Sequence, residues 1–365
     1  MKKFEEVIRS KSLNLNEDNS YSGSFRDYFN SRLDEYLDLI SLLDVSTIDF
    51  KKHKSTNRGI NLNQTDLVEG LKETIAYYYD GNPAKAYNRL KKAIDQRLKR
   101  YRGLLKIGEY SLGEDFYRIR ITKGNSSYNS KNFFHIPFDL RGKVSTQRFS
   151  IPGFPSLYLG RTAYVCWEEL NRPNLSDFHV VRLESIEKIK FIDLAPPYLN
   201  SNINDIEYYK YLMTWPLIFA CTIKVKHPDE VFKPEYVIPQ LLLQWTRQEK
   251  EIDGIRYWST HIQHSPLSFK GELYNIVLPV KENLTEGLCP QLTNIFEATE
   301  VVSWQSIELA TGGQTYLYSD KENEKIDKKM EYLELIKGTK YPYSSSVFGN
   351  IERQLSFLPS KRISS

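Results

Sequence analysis

A guanidinium, a phenol ring and a carboxylate recur through one short stretch, residues 133–170: Arg148, then Tyr158 ten residues on, then Glu169 eleven further. Pro152, Gly153 and Pro155 supply a turn between the first two. Arginine grips phosphate oxygens with two parallel donors. A tyrosine ring can stack on a flat base, and a carboxylate can stabilise positive charge developing on a sugar. Together the three suit a substrate that carries phosphates, a flat base and a ribose. Singly, each has a plainer reading: a surface cation, a half-buried strand residue, a solvated helix acid.

The elements that must hold these residues can be read from periodicity. Phe25, Tyr28, Phe29, Leu33, Tyr36, Leu37, Ile40 and Leu43 recur at three- and four-residue steps behind Ser24, a capping residue type. A second helix is expected from near Asn63 through Leu67, Leu71, Ile75 and Tyr78. A third starts at Asn82, with Pro83 where a missing N–H costs nothing, and carries the stripe Tyr87, Leu90, Ile94, Leu98 and Tyr101. Lys91, Lys92, Arg97, Lys99, Arg100 and Arg102 crowd its remaining surface; such a face can dock on nucleic acid but is usually only solvated. From Tyr110 onward the texture is that of strands: EDFYRIRI, SLYLG, FHVVRLE, KIKFIDL, GIRYWST and LYNIVLPV. A helix from about Thr162 through Leu170 carries Glu169 near its end. DIEYYKYLMTWPLIFACTI reads as a helix, and PQLLLQWTRQ as a helix or a buried strand. The final segment, SSSVFGNIERQLSFLPSKRISS, is polar and expected to be loosely held. The order predicts an α+β protein: a helical N-terminal domain over 1–105, a catalytic domain with a mixed β core over 106–285, and an extension over 286–365 packed on it and ending in a polar tail.

Composition narrows the function. Hydrophobic residues at 40% and charged residues at 26% are those of an ordinary soluble protein, and a net charge of +4 is too small to argue for nucleic acid. Three scattered cysteines (Cys166, Cys221, Cys289) offer neither a disulfide framework nor a zinc site, which fits a reducing cytoplasm. The N-terminus has no apolar signal segment, and no apolar run is long enough to span a membrane. GxxxxGK[ST], GxGxxG, HExxH and GxSxG are all missing. His261 and His264 lack a third ligand nearby, so no metal is expected.

Five pieces, taken in order, resemble the RES domain family, named for an arginine, a glutamate and a serine: YRIR (117–120), FHIPF (134–138), RFSIPGFPSLYLG (148–160), CWEEL (166–170) and GIRYWS (254–259). The match covers residues 110–280, about half of the chain. The resemblance implies a bacterial NAD-degrading protein with an ADP-ribosyltransferase-like fold, often the toxin of a toxin–antitoxin pair. NAD would be substrate rather than cofactor, cleaved at the nicotinamide–ribose bond by hydrolysis or phosphorolysis. Inorganic phosphate, a separate antitoxin chain and a second copy of the protein are then candidate partners. Carried over residue by residue, Arg148, Tyr158 and Glu169 are the catalytic set, with Arg118 and Ser259 binding substrate; His135, inside FHIPF, is a further candidate substrate contact. Glu168 competes with Glu169, and the count of eleven favours Glu169. The sequence departs from the family pattern at Gln147 (glycine is usual) and Ser150 (asparagine), which bear on the shape of the Arg148 loop, and at Trp258 (a small residue or proline) beside Ser259. Two other classes stay open: an ADP-ribosyltransferase acting on a macromolecule, and a non-enzymatic nucleic-acid-binding module working through the basic third helix.

Overall fold

The apolar stripes become helices that begin at the caps their sequences carry. In the computed structural model, which describes residues 6–7, 10, 13, 15, 20–43, 57–100, 103–121, 128–198, 205–262, 269–311, 320–336 and 338–363, helix α1 (Phe25–Ser41) starts at Ser24, whose hydroxyl accepts from the Asp27 N–H. Helix α2 (Asn57–Tyr79) begins earlier than the expected Asn63. Helix α3 (Pro83–Ala93) is capped by Asn82, which accepts from the Lys85 N–H at 3.1 Å, and runs on through a π-helical segment, Ile94–Lys99. Three residues of its basic face are paired. Lys91 pairs with Asp95 at 2.8 Å, Arg97 with Asp66 at 2.8 Å, and Lys99 with Glu249. Tyr101 and Arg102 lie outside the described residues.

Beyond these helices the chain builds one mixed sheet, so the protein is α+β with a helical N-terminal region. Its strands are β1 (Ile107–Tyr110), β2 (Asp115–Ile121), β3 (Ser156–Gly160), β4 (Phe178–Ser185), β5 (Ile189–Asp193), β6 (Gly254–Trp258), β7 (Tyr274–Pro279), β8 (Phe296–Ala298) and β9 (Val302–Ser303). A separate hairpin, β10 (Tyr332–Ile336) with β11 (Thr339–Pro342), precedes the last strand, β12 (Lys361–Arg362). The order across the sheet is β1-β5-β6-β7-β3-β2-β4-β8-β12, with β9 also on β4; β5 and β6 pair in parallel and the rest antiparallel. One seam is thin. β2 and β3 share the single pair Tyr117↔Gly160, whereas β2 runs against β4 from Asp115↔Glu184 to Ile121↔Phe178 and β3 against β7 from Ser156↔Pro279 to Gly160↔Asn275. The sheet therefore opens between β2 and β3.

The remaining helices cover this sheet: α4 (Ala163–Glu169), α5 (Asp205–Thr222), α6 (Val237–Gln248), α7 (Trp304–Thr311), α8 (Asp320–Lys329) and α9 (Val347–Ser356). PQLLLQWTRQ is helical, in α6, because Ile238, Leu242 and Trp245 fall on one buried face. From Tyr211 to Thr222 helix α5 is buried on every side and mostly apolar. It lies between the N-terminal helices and the sheet: Trp215 stacks on Tyr36 (centroids 5.3 Å apart) and on Phe219 (5.1 Å), and the Tyr36 hydroxyl donates to the Leu212 carbonyl at 2.9 Å. A single hydrophobic core thus joins α1–α3 to α5, α6 and Ile192, Ile255 and Val277 of the sheet, without a break at residue 105. Nor does packing stop at residue 285, since β8, β9 and β12 complete the sheet.

The expectation of a loose polar tail is corrected. Residues 347–356 form α9, which starts at Ser346, whose hydroxyl accepts from the Gly349 N–H at 3.0 Å, and buries Phe348, Ile351 and Leu355. Those three recur at helical spacing inside polar flanks that hide them in the composition.

Candidate active site

A cavity of about 620 Å³ sits where β2 and β3 part. Strand β2 contributes Arg118, β3 contributes Tyr158, and the end of α4 contributes Glu169; Arg148 and Phe149 reach in from the loop before β3. Four of the residues singled out in the sequence therefore face one space. Helix α4 is capped by Thr162, whose hydroxyl accepts from the Val165 N–H at 3.2 Å, and it packs on β2, where the Cys166 thiol contacts the Tyr117 carbonyl oxygen at 3.1 Å. The buried Glu352 of α9 accepts the Ala163 N–H at 2.8 Å, so the C-terminal segment satisfies a further first-turn donor of the helix that carries Glu169.

Glu169 has one oxygen engaged and one open. Oε1 accepts from Ser259 Oγ at 2.5 Å and from Asn275 Nδ2 at 2.8 Å; both partners are buried. Charge-assisted bonds of this length fix a carboxylate firmly. Oε2 has no hydrogen bond among the described residues and stands 3.8 Å from His261 Nε2. The neighbouring Glu168 points elsewhere, buried with Oε2 accepting from Arg172 Nε at 2.8 Å. Ser259 acts on Glu169 rather than lining the cavity.

The two arginines are held differently. Arg148 Nη1 donates to the carbonyls of Cys221 (3.2 Å) and Ile223 (2.9 Å), where α5 ends, and its guanidinium lies over the Tyr236 ring at 5.3 Å. It satisfies carbonyls that a helix C-terminus leaves free. Arg118 Nη1 is buried with no hydrogen-bond partner. Burial, reinforced by nearby Arg120, draws its pKa down to about 9, so it is still a cation at neutral pH but one short of a counter-charge. A buried cationic donor facing a cavity is a ready anion site. The Tyr158 hydroxyl donates to the Phe149 carbonyl, which orients the ring, and burial pushes its pKa well above the usual phenol value.

No family model and no solved structure matches the chain. Among curated proteins, it is 34% identical over 312 residues to "Putative toxin YopC" of Bacillus subtilis (strain 168), an alignment spanning 78% of this chain and 67% of that protein. The chain belongs to the YopC family.

In this YopC-family chain one site assignment must be withdrawn. His135 is fully buried: its Nε2 accepts the Cys289 N–H at 2.8 Å and its Nδ1 lies 2.8 Å from the Ile136 carbonyl, which fixes a neutral ring with the proton on Nδ1. Burial depresses its pKa to about 4. It holds two loops together and has no atom free for a substrate.

Sequence reasoning missed the far wall of the cavity. Asn275 of β7, Tyr257 of β6 and Lys224, Lys233 and Tyr236 of the connection from α5 to α6 all line it, brought there by packing between distant segments. That connection is braced by the N-terminal region. Buried Glu235 accepts from the Tyr21 hydroxyl at 2.7 Å and the Lys226 N–H at 3.0 Å, Lys226 Nζ donates to the Gly23 carbonyl at 3.0 Å, and Phe232 stacks against Tyr78 (centroids 6.1 Å apart). The first 105 residues give the cavity no lining side chain among the described residues, but they hold one of its walls. No group of His, Cys, Asp and Glu there could hold a metal ion, and no helix is long and apolar enough to cross a membrane, again among the described residues; His264 lies outside them.

Proposed function

We propose that this YopC-family chain is a RES-type toxin or defence effector that cleaves the nicotinamide–ribose bond of NAD on an ADP-ribosyltransferase-like scaffold. The observation that carries the reading is the held carboxylate: Glu169, with Oε1 fixed by Ser259 and Asn275 and Oε2 open to the cavity. As the C1′–N bond breaks, its electron pair leaves with nicotinamide as a neutral molecule and positive charge builds on the ribose. A fixed carboxylate beside that ribose stabilises the transition state more than the ground state. Arg118 supplies an unused cationic donor for the pyrophosphate, and Arg148, which also lines the cavity, adds charge. The rings of Tyr158, Tyr236 and Tyr257 offer stacking faces for the nicotinamide or adenine. The cavity volume suits a ligand of dinucleotide size. The name of the relative supports the toxin part of the reading, and with it a separate antitoxin chain as partner.

A nucleic-acid module working through α3 is disfavoured by its ion pairs with Asp66, Asp95 and Glu249. The test is incubation of the purified full-length chain with NAD, followed by identification of products. Nicotinamide release is expected. Intact NAD would refute the proposal, and label from NAD appearing on a macromolecule would replace it by ADP-ribosyl transfer.

A further inference from the structure

Beside the open oxygen of Glu169 stands a group that the proposed reaction has not yet used. His261 follows Ser259 by two residues in the turn after β6, and its backbone N–H donates to Ser259 Oγ at 3.3 Å. The same serine hydroxyl therefore anchors the turn that bears His261 and, at 2.5 Å, the Glu169 carboxylate. The imidazole lines the cavity with its side chain 38% exposed, so it can exchange protons with solvent. The 3.8 Å between His261 Nε2 and Glu169 Oε2 is too long for a direct hydrogen bond. It is a span that one water molecule can bridge with ordinary hydrogen bonds to both atoms. His261 is the sole histidine among the described lining residues of the cavity.

We propose that His261 Nε2 and Glu169 Oε2 hold the acceptor water and that His261 is its general base, which makes the protein a hydrolase rather than a phosphorylase. The inference rests on the NAD-cleavage reading above. In the step, the water oxygen forms a bond to ribose C1′ as the C1′–N bond breaks. The broken bond's electron pair goes to nicotinamide. One water proton passes to His261 Nε2 and then to solvent, and the other remains on the new hydroxyl. NAD⁺ and water thus give ADP-ribose, nicotinamide and one proton. The Glu169 carboxylate stabilises the ribose cation. Phosphate in the same position would bring a second anion against Glu169, which a low-dielectric cavity penalises, and as an anion it has little need of a base.

The test uses the full-length chain with NAD in buffers with and without inorganic phosphate, reading nicotinamide, ADP-ribose and ADP-ribose 1″-phosphate separately. The wild type is expected to form ADP-ribose in both buffers. His261→Gln should lower that rate by about 10²-fold, the usual weight of a general base, with KM for NAD unchanged. His261→Ala should recover part of its activity when free imidazole is added, which no purely structural role would give. The inference is overturned if His261→Gln forms ADP-ribose at the wild-type rate, or if wild type in phosphate yields mainly ADP-ribose 1″-phosphate. Either result would leave NAD cleavage standing; a wild type that leaves NAD intact would remove both.

Discussion

Arg118 is a cation in a place where cations are expensive. Its Nη1 is buried without a partner, and no carboxylate pairs with its guanidinium among the described residues. A residue of this kind weakens the fold and repays that only when an anion arrives. Arg118→Met is therefore expected to raise stability, on the order of 1 kcal/mol, while lowering NAD turnover by about 10- to 100-fold through loss of a charged hydrogen bond. Thermal melts and nicotinamide release read both quantities; a destabilised variant with normal turnover would make Arg118 a structural residue. His135 behaves in the opposite sense. Its folded pKa of about 4 lies below the ordinary 6.5 because burial penalises the charged ring. The unfolded chain binds the extra proton first, so this contribution is complete above pH 6.5 and is lost as pH falls towards 4, about 3 kcal/mol in all. Denaturation at pH 7 and pH 4.5 should show wild type losing more stability than His135→Gln; equal losses would assign the acid sensitivity elsewhere. At this scale the sequence was informative where the cavity lining comes from one local stretch, as with Arg148, Tyr158 and Glu169. It was silent on Asn275, Tyr257 and Tyr236, whose roles come from which strands and loops meet. For His135, residue type alone could not tell a ligand contact from a buried clasp.

Helix α4 and strand β3 form the element on which the site depends. Gly160 ends β3 at the one pair joining it to β2, and a Cβ there would lie 2.6 Å from Cys166 Sγ and 3.1 Å from the Thr162 carbonyl oxygen. Only glycine lets α4 approach this closely. Gly160→Ala should push α4 outward, cost about 1–3 kcal/mol of stability, and move Glu169 away from Ser259 and Asn275. Turnover measured well below the melting temperature should fall with it. Full activity in a folded Gly160→Ala protein would mean that Glu169 tolerates displacement. Local signals made most elements readable: Ser24 and the Asn82-Pro83 start each mark a helix cap. Helix α9 was hidden by polar flanks, and α6 was ambiguous because a short apolar run fits a helix or a buried strand equally well.

Across the whole molecule, the order of elements was legible but the order of strands was not, since register between distant segments leaves no local trace. The shared core is the main consequence. Tyr36, Trp215 and Phe219 stack in series across the line that the change from helical to strand periodicity suggests near residue 105. A chain truncated to begin at residue 106 is expected to expose the apolar faces of α5 and α6 and to aggregate. A soluble, monodisperse truncation with full NAD turnover would show the N-terminal helices to be separable. The central claim, that the fixed carboxylate of the cavity cleaves NAD, is tested most directly by nicotinamide release from Glu169→Gln beside Glu168→Gln. The geometry predicts a folded Glu169→Gln protein slower by about 10²–10³-fold and a Glu168→Gln protein that still turns NAD over. Activity retained in Glu169→Gln and lost in Glu168→Gln would contradict it.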